Sequence, residues 1–217
     1  ANLSTSLPDT TAPTLSSVSI ASNNTTTTLA NPGDDVTLTL TASEAIGTPV
    51  VTFQSGGAAI SDGSIVYANT SGNTWTATYT ANASDTGGAV SYSIAFSDTA
   101  GNAGTPVTAT TDTSNVEVVI DTDLPTLLSS SPSDGSRAVK LDQNIVLIFS
   151  EEVSAGSGQI KLFDGNDELV EAFTVSSSII SGSTVTLNPT ADLKPDNSYY
   201  IQISSTALTD AAGNNYA

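Results

Sequence analysis

The stretch Val36-Thr37-Leu38-Thr39-Leu40-Thr41-Ala42 decides the fold class. Apolar and hydroxyl residues alternate along it, so Val36, Leu38 and Leu40 share one face and the threonines the other. β-branched residues suit a pleated surface better than a helix, where their χ1 is crowded. The same period of two predicts strands on both sides: Thr14–Ile20 before it, then Val50–Phe53, Ser64–Ala68, Trp75–Thr80, Val90–Phe96 and Val116–Ile120 after it. Trp75, Ala77 and Tyr79 fall on one face of their strand and are expected in the core, in preference to forming a sugar platform. Turn chemistry separates the strands, as in Asn31-Pro32-Gly33-Asp34, Ser71-Gly72-Asn73 and Asp85-Thr86-Gly87-Gly88. No segment carries a helical period. Seven short strands in about 110 residues is the count of an immunoglobulin-like sandwich.

The second half repeats the pattern less cleanly. Strands are predicted at Thr126–Ser130, Ile145–Phe149, Gln159–Phe163, Leu169–Phe173, Thr184–Leu187 and Ser198–Ile203. A seventh should begin after Gly213-Asn214, close to Ala217. The expectation is therefore an all-β chain of two tandem immunoglobulin-like β-sandwiches, residues 1–121 and 122–217, the second lacking an evident final strand. That domain is either truncated or completed by another segment, and an open edge invites pairing with another chain. The join, Asp121-Thr122-Asp123-Leu124-Pro125, is short and stiff. Pro125 fixes its own φ and biases Leu124 toward extended geometry.

An acidic frame is written into both halves. Asp9-Thr10-Thr11-Ala12-Pro13-Thr14 precedes Asp98-Thr99-Ala100-Gly101-Asn102, and Asp121-Thr122-Asp123-Leu124-Pro125-Thr126 precedes Asp210-Ala211-Ala212-Gly213-Asn214. The spacing is the same, since 98 − 9 and 210 − 121 both give 89. Ser43-Glu44 and Ser150-Glu151 lie between. In a sandwich, the segment before the first strand, the loop after the second and the loop after the sixth all lie at one pole. Asp9, Glu44 and Asp98 are thus expected together at one end of the first module. Asp121, Asp123, Glu151 and Asp210 are expected together at the matching end of the second.

Composition says what such groups can bind. The 217 residues include 22 acidic and 4 basic ones, with no His and no Cys, for a net charge of −18. A Ser-His-Asp triad, a thiol nucleophile and a disulfide are excluded, as is a nitrogen or sulfur ligand set for zinc, copper or iron. Phosphate recognition needs clustered Lys and Arg, so no nucleic-acid partner is expected. The four cations, Arg137, Lys140, Lys161 and Lys194, all lie in the second half. Acids gathered in the first half find no cationic side chain there. Two carboxylates ~5 Å apart at an effective dielectric of ~20 repel by ~3 kcal/mol. A hard cation removes that repulsion, and Ca²⁺, which takes carboxylate and carbonyl oxygens, is the cofactor predicted at both groups. Asp34, Asp35, Asp85 and Glu152 are weaker candidates. Asp34, Asp35 and Asp85 are expected at the opposite pole from Asp9, facing the linker, where they could complete the junction site, and for Asp85 the turn before a tyrosine corner at Tyr92 is the preferred reading over a metal role. Asp164-Gly165-Asn166-Asp167 reads as a hairpin tip. An enzyme is not expected: Glu151 and Glu152 are adjacent, and neighbours on a strand face opposite ways.

No run of about 18 apolar residues exists, so no membrane insertion is predicted. Ala1-Asn2-Leu3-Ser4 has no charged or apolar region of a signal peptide, and the chain reads as an interior piece of something longer.

The order Asp-Thr-x-x-Pro-Thr, Ser-Glu, Asp-x-Ala-Gly-Asn resembles the tandem bacterial immunoglobulin-like repeats of large RTX-type adhesins. The second half is similar to the variant marked by Phe149-Ser150-Glu151-Glu152-Val153, Leu187-Asn188-Pro189, Leu193-Lys194-Pro195 and Tyr200. The resemblance spans nearly the whole chain. It implies extender domains at a bacterial cell surface, Ca²⁺ at the junctions, type I secretion and a role in adhesion or biofilm formation. Partners are then the neighbouring immunoglobulin-like domains of the same chain, with a monomeric state and any surface ligand held by other domains. The final strand departs from the pattern, and no Gly-Gly-x-Gly-x-Asp repeat occurs. Two alternatives stand beside this one: a ligand-binding module for a sugar, peptide or added strand, and an ancillary domain of a secreted polysaccharide-degrading enzyme.

Overall fold

The computed structural model describes residues 7–61, 63–111 and 117–217. The readings of Ala1–Ser4 and of Val116 lie outside the described residues. The chain divides into two compact units, Ala1–Thr122 and Asp123–Ala217.

The first unit contains β1 (Leu15–Ser22), β2 (Leu29–Ala30), β3 (Asp35–Ala42), β4 (Val50–Ser55), β5 (Ala58–Ala59), β6 (Val66–Ser71), β7 (Thr74–Thr80), β8 (Gly88–Ala95) and β9 (Val119–Ile120). They form two sheets, ordered β1-β3-β7-β6 and β2-β9-β8-β4-β5. The alternation in β3 works as its sequence demands: Val36, Leu38 and Leu40 are fully buried. Their threonine neighbours stay on the outer face, where Thr37 meets Thr78 at 3.0 Å and Thr41 meets Thr74 at 3.1 Å across the β3–β7 ladder. Val18 and Ile20 of β1, Tyr79 of β7, and Val90, Tyr92 and Ile94 of β8 close the core from both sheets. Each such aliphatic side chain contributes roughly 1.5–3 kcal/mol by leaving water. Trp75 packs half-buried against this cluster, as expected of a core residue. β9 closes the sandwich, pairing antiparallel with β8 and parallel with β2.

The second unit contains β10 (Leu127–Ser131), β11 (Ile145–Phe149), β12 (Ser154–Ala155), β13 (Gln159–Asp164), β14 (Leu169–Thr174), β15 (Ile180–Ser181), β16 (Thr184–Leu187), β17 (Tyr199–Ile203) and β18 (Leu208–Thr209). One 3₁₀ turn, Ser177–Ile179, is described. The sheets run β10-β11-β16-β15 and β14-β13-β17, with β12-β18 as a separate ladder. Leu147, Phe149, Val185 and Leu187 from the first sheet meet Ile160 and Leu162 from the second in one core. Both units are immunoglobulin-like β-sandwiches. After Asn214 the chain returns along β18: Tyr216 N–H donates to the Leu208 carbonyl at 3.0 Å, and the Tyr216 ring packs edge-on against Phe149. Among the described residues, β17 pairs with β13 and has no strand on its other side.

One expectation fails. The Tyr92 hydroxyl is buried and meets no hydrogen-bond partner among the described residues, so it forms no tyrosine corner. Burial holds its pKa up at about 12.

Candidate metal centres

Asp98 leaves β8 and opens the turn Asp98–Asn102. The turn closes on itself: Asp98 N–H donates to the Asn102 carbonyl at 3.0 Å, and Gly101 adopts a φ of +98° that favours glycine. Both carboxylate oxygens of Asp98 accept from Asn102, Oδ1 from the backbone N–H and Oδ2 from the side-chain amide, each at 2.7 Å. The Asn102 side-chain amide holds the Asp98 carboxyl below the usual carboxylate range against the opposing effect of burial, with help from backbone N–H groups of the turn. That amide also donates to the backbone carbonyl of Asp9 at 3.1 Å, tying the segment before β1 to the turn. Thr11 N–H donates to the Asp9 carboxylate at 2.9 Å. Glu44 is placed by its neighbour: Thr14 N–H donates to Ser43 Oγ at 3.0 Å, and Ser43 N–H returns to the Thr14 carbonyl at 2.8 Å.

The second module repeats these parts. Thr126 N–H donates to Ser150 Oγ at 3.0 Å, and Ser150 N–H donates to the Thr126 carbonyl at 2.9 Å. Asp210, 4% exposed, accepts from the Asn214 backbone N–H and side-chain amide, each at 2.8 Å. Gly213 carries the positive φ, +93°.

These local structures bring carboxylates together. Asp9, Glu44 and Asp98 each offer an oxygen within 4.8 Å of the others, and so do Asp121, Glu151 and Asp210. All donors are hard oxygens, and no sulfur or imidazole is at hand. The set suits Ca²⁺, whose 6–8 oxygen ligands at 2.3–2.6 Å can include bidentate carboxylates, carbonyls and waters.

The remaining candidates are not members of these two groups. Asp123 is in neither. Asp34 accepts from the Asn31 N–H at 2.9 Å and the Asn24 amide at 2.7 Å, and Asp35 from the Thr80 hydroxyl at 2.7 Å. Asp85 accepts from the N–H groups of Ser61 and Asn82 at 2.7 and 2.8 Å. Asp34 and Asp85 tie loop segments together, and Asp35 bonds its cross-strand partner in the β3–β7 ladder. Glu152 belongs to neither group. Asp164 caps its hairpin tip through the N–H groups of Asn166 and Glu168, which lower its pKa. Sequence reasoning quoted the two asparagines and two serines within the frame but gave no role to the asparagines that bond the Asp carboxylates or to the serines that bond the backbone beside each Glu. Their signal was available, because Asn102 and Asn214, like Ser43 and Ser150, occupy equivalent places in the repeated frame.

The comparisons with known proteins bear on the second module. Residues 121–217 match the bacterial Ig-like domain family. This match begins at Asp121, so all three acids of the second group lie within it. A search of curated proteins finds no match. Among solved structures, the I67–I69 fragment of the titin I-band is 16% identical over 95% of this chain and 64% of that one, at a TM-score of 0.42. The IG1+IG2 pair of DIP-gamma is 14% identical over 94% and 92%, at 0.38. Dimeric latent PorU from Porphyromonas gingivalis is 12% identical over 96% of this chain and 20% of that one, at 0.32. The chain thus spans less than two thirds of the titin fragment. The fold assignment stands on the strand pairing within each module. No helix among the described residues is long and apolar enough to cross a membrane.

Proposed function

We propose that the chain is a non-enzymatic extender segment of a bacterial cell-surface adhesin, stiffened by Ca²⁺ at its module junctions. It holds a ligand-binding region of the same protein away from the cell for adhesion or biofilm formation. One observation carries this reading: the same group of three carboxylates is built twice, each time with the same serine and asparagine supports. A turn needs only the Asp and the Asn. It gives no reason for a Glu from one segment and an Asp from another to stand within 4.8 Å of it.

Ca²⁺ would cancel the repulsion within each group and tie three segments of the backbone together. Asp121 directly follows Ile120, the last residue of β9 in the first module. Holding Asp121 with Glu151 and Asp210 would restrain the short segment that begins at Asp121. Free Ca²⁺ at ~100 times Kd adds about 2.7 kcal/mol per site to the folded state. The test is the melting temperature and the radius of gyration of the whole chain in Ca²⁺ and in chelator. A rise in melting temperature and a narrowed spread of dimensions are expected; no change in either overturns the reading.

A further inference from the structure

The outer face of the β14-β13-β17 sheet sets an aromatic pair beside a row of polar side chains. In β13, Ile160 and Leu162 are buried, which turns Gln159, Lys161 and Phe163 outward. In β17, Tyr199, Ile201 and Ile203 pack on the core, which turns Tyr200 and Gln202 to the same outer face. Phe163 stands opposite Tyr200, and their rings stack with centroids 5.3 Å apart and planes 12° from parallel. The Tyr200 hydroxyl donates to Asp167 Oδ1 at 2.9 Å, which holds the ring in place, yet the residue is 43% exposed. Two residues along the ladder, about 7 Å away, Lys161 stands between Gln202 and the small Ala172. Beyond them, Gln159 N–H donates to Ser204 Oγ at 3.0 Å, and Ser204 N–H donates to the Gln159 carbonyl at 3.1 Å. Gln159, Lys161, Gln202 and Ser204 line a groove beside the aromatic pair. The face is centred on β13, which is paired on both sides, so it stands whatever strand pairs with β17 beyond it.

We infer that this face binds a neutral glycan, with one sugar ring stacked on Tyr200 and the next held in the groove by Lys161, Gln202 and Gln159. A pyranose has an apolar face of C–H groups and a rim of hydroxyls. A fixed aromatic ring suits the first, and side-chain amides, which both donate and accept, suit the second. Charge decides against an anionic glycan: the second module carries 12 acidic residues against 4 basic ones. Size decides against a folded protein. Three strands about 4.8 Å apart and about six residues long present roughly 300 Å², whereas a stable protein partner covers about 800 Å² on each side. The site uses none of the six grouped carboxylates, so the inference is independent of the cation reading.

The probes are cellohexaose, laminarihexaose and maltohexaose, with the hexamer of polygalacturonic acid as the anionic counterpart. Each is titrated into the whole chain, and backbone and side-chain amide signals are followed by NMR. At least one neutral hexamer should bind with a Kd of about 1 mM or tighter, moving the signals of Lys161, Phe163, Tyr200 and Gln202. The anionic hexamer should bind at least about tenfold more weakly. Tyr200→Ala should weaken the neutral glycan about tenfold, and Tyr200→Phe, which keeps the ring, by less than about threefold. Gln202→Ala, on an exposed position, should weaken it at least about threefold and carries the test if Tyr200→Ala unfolds. No binding of any neutral hexamer at about 10 mM overturns the proposal. So do unchanged affinity in the folded alanine variants, tighter binding of the anionic hexamer, and signal changes that spare this face.

Discussion

Replacing Glu151 by Gln separates a metal ligand from a turn-former, because the two roles predict opposite signs in chelator. Glu151 offers an oxygen within 4.8 Å of those of Asp121 and Asp210. At that distance and an effective dielectric of ~20, each pair repels by about 3 kcal/mol before screening. Glu151 is partly exposed, so salt and solvent reduce the net relief on neutralising it to about 1 kcal/mol. A change of 1 kcal/mol moves the melting point of a domain this size by about 4–8 °C. In chelator, Glu151→Gln should therefore melt about 4–8 °C above the parent. With Ca²⁺ at about 100 times the parent Kd, the parent should gain about 2.7 kcal/mol, or about 11–22 °C. The variant keeps two of three charged ligands. At about 100-fold weaker binding it gains only about 0.4 kcal/mol, or roughly 2–3 °C. Differential scanning calorimetry in both buffers gives all four numbers. Equal Ca²⁺ shifts in parent and variant would refute the reasoning, as would a variant that melts lower in chelator.

Three further outcomes follow from the same geometry. Asp85→Ala removes the buried carboxylate that accepts from the N–H groups of Ser61 and Asn82, so the first module should lose about 1–3 kcal/mol in urea denaturation while its Ca²⁺ shift stays intact. Asp98 has a folded pKa below its ordinary value of 3.8, so its contribution is fully present above about pH 4 and is lost as pH falls through the folded value. Melting of the first module in chelator should drop across that acid window, and Asp98→Asn should flatten the drop. Leu38→Ala empties a site of zero exposure and should cost about 2–5 kcal/mol, whereas Leu128→Ala, at 67% exposure, should change stability by about 0.5 kcal/mol or less.

The strands were legible because their period is local. Ile145–Phe149 and Thr184–Leu187 fall where the alternation puts them, and the β3 face is buried as its Val-x-Leu-x-Leu pattern requires. The two-residue strands β2, β5, β12, β15 and β18 were missed, because a pair of residues has no period to read. They exist through their partners, as Leu29 and Ala30 do through Val119 and Ile120. Tyr92 shows the opposite error: the turn and the tyrosine are present, yet its hydroxyl finds no acceptor in reach among the described residues.

The acids divide along the same line. Asp9, Glu44 and Asp98, and their counterparts Asp121, Glu151 and Asp210, were recognisable from a repeated spacing of 89 and from the fixed poles of a sandwich. Nothing local distinguishes Asp85 or Asp34 from them, since every Asp in a turn is an equally good acceptor on paper. The linear chain could state the strand period, the duplication, and the shortage of cations, because each is a matter of residue order and number. Which carboxylates meet across segments, and which, like Asp85, bond only N–H groups, was settled only when loops dozens of residues apart were packed against one another. Coulomb repulsion and hydrogen bonding act over a few ångströms, and that distance is a property of the folded chain.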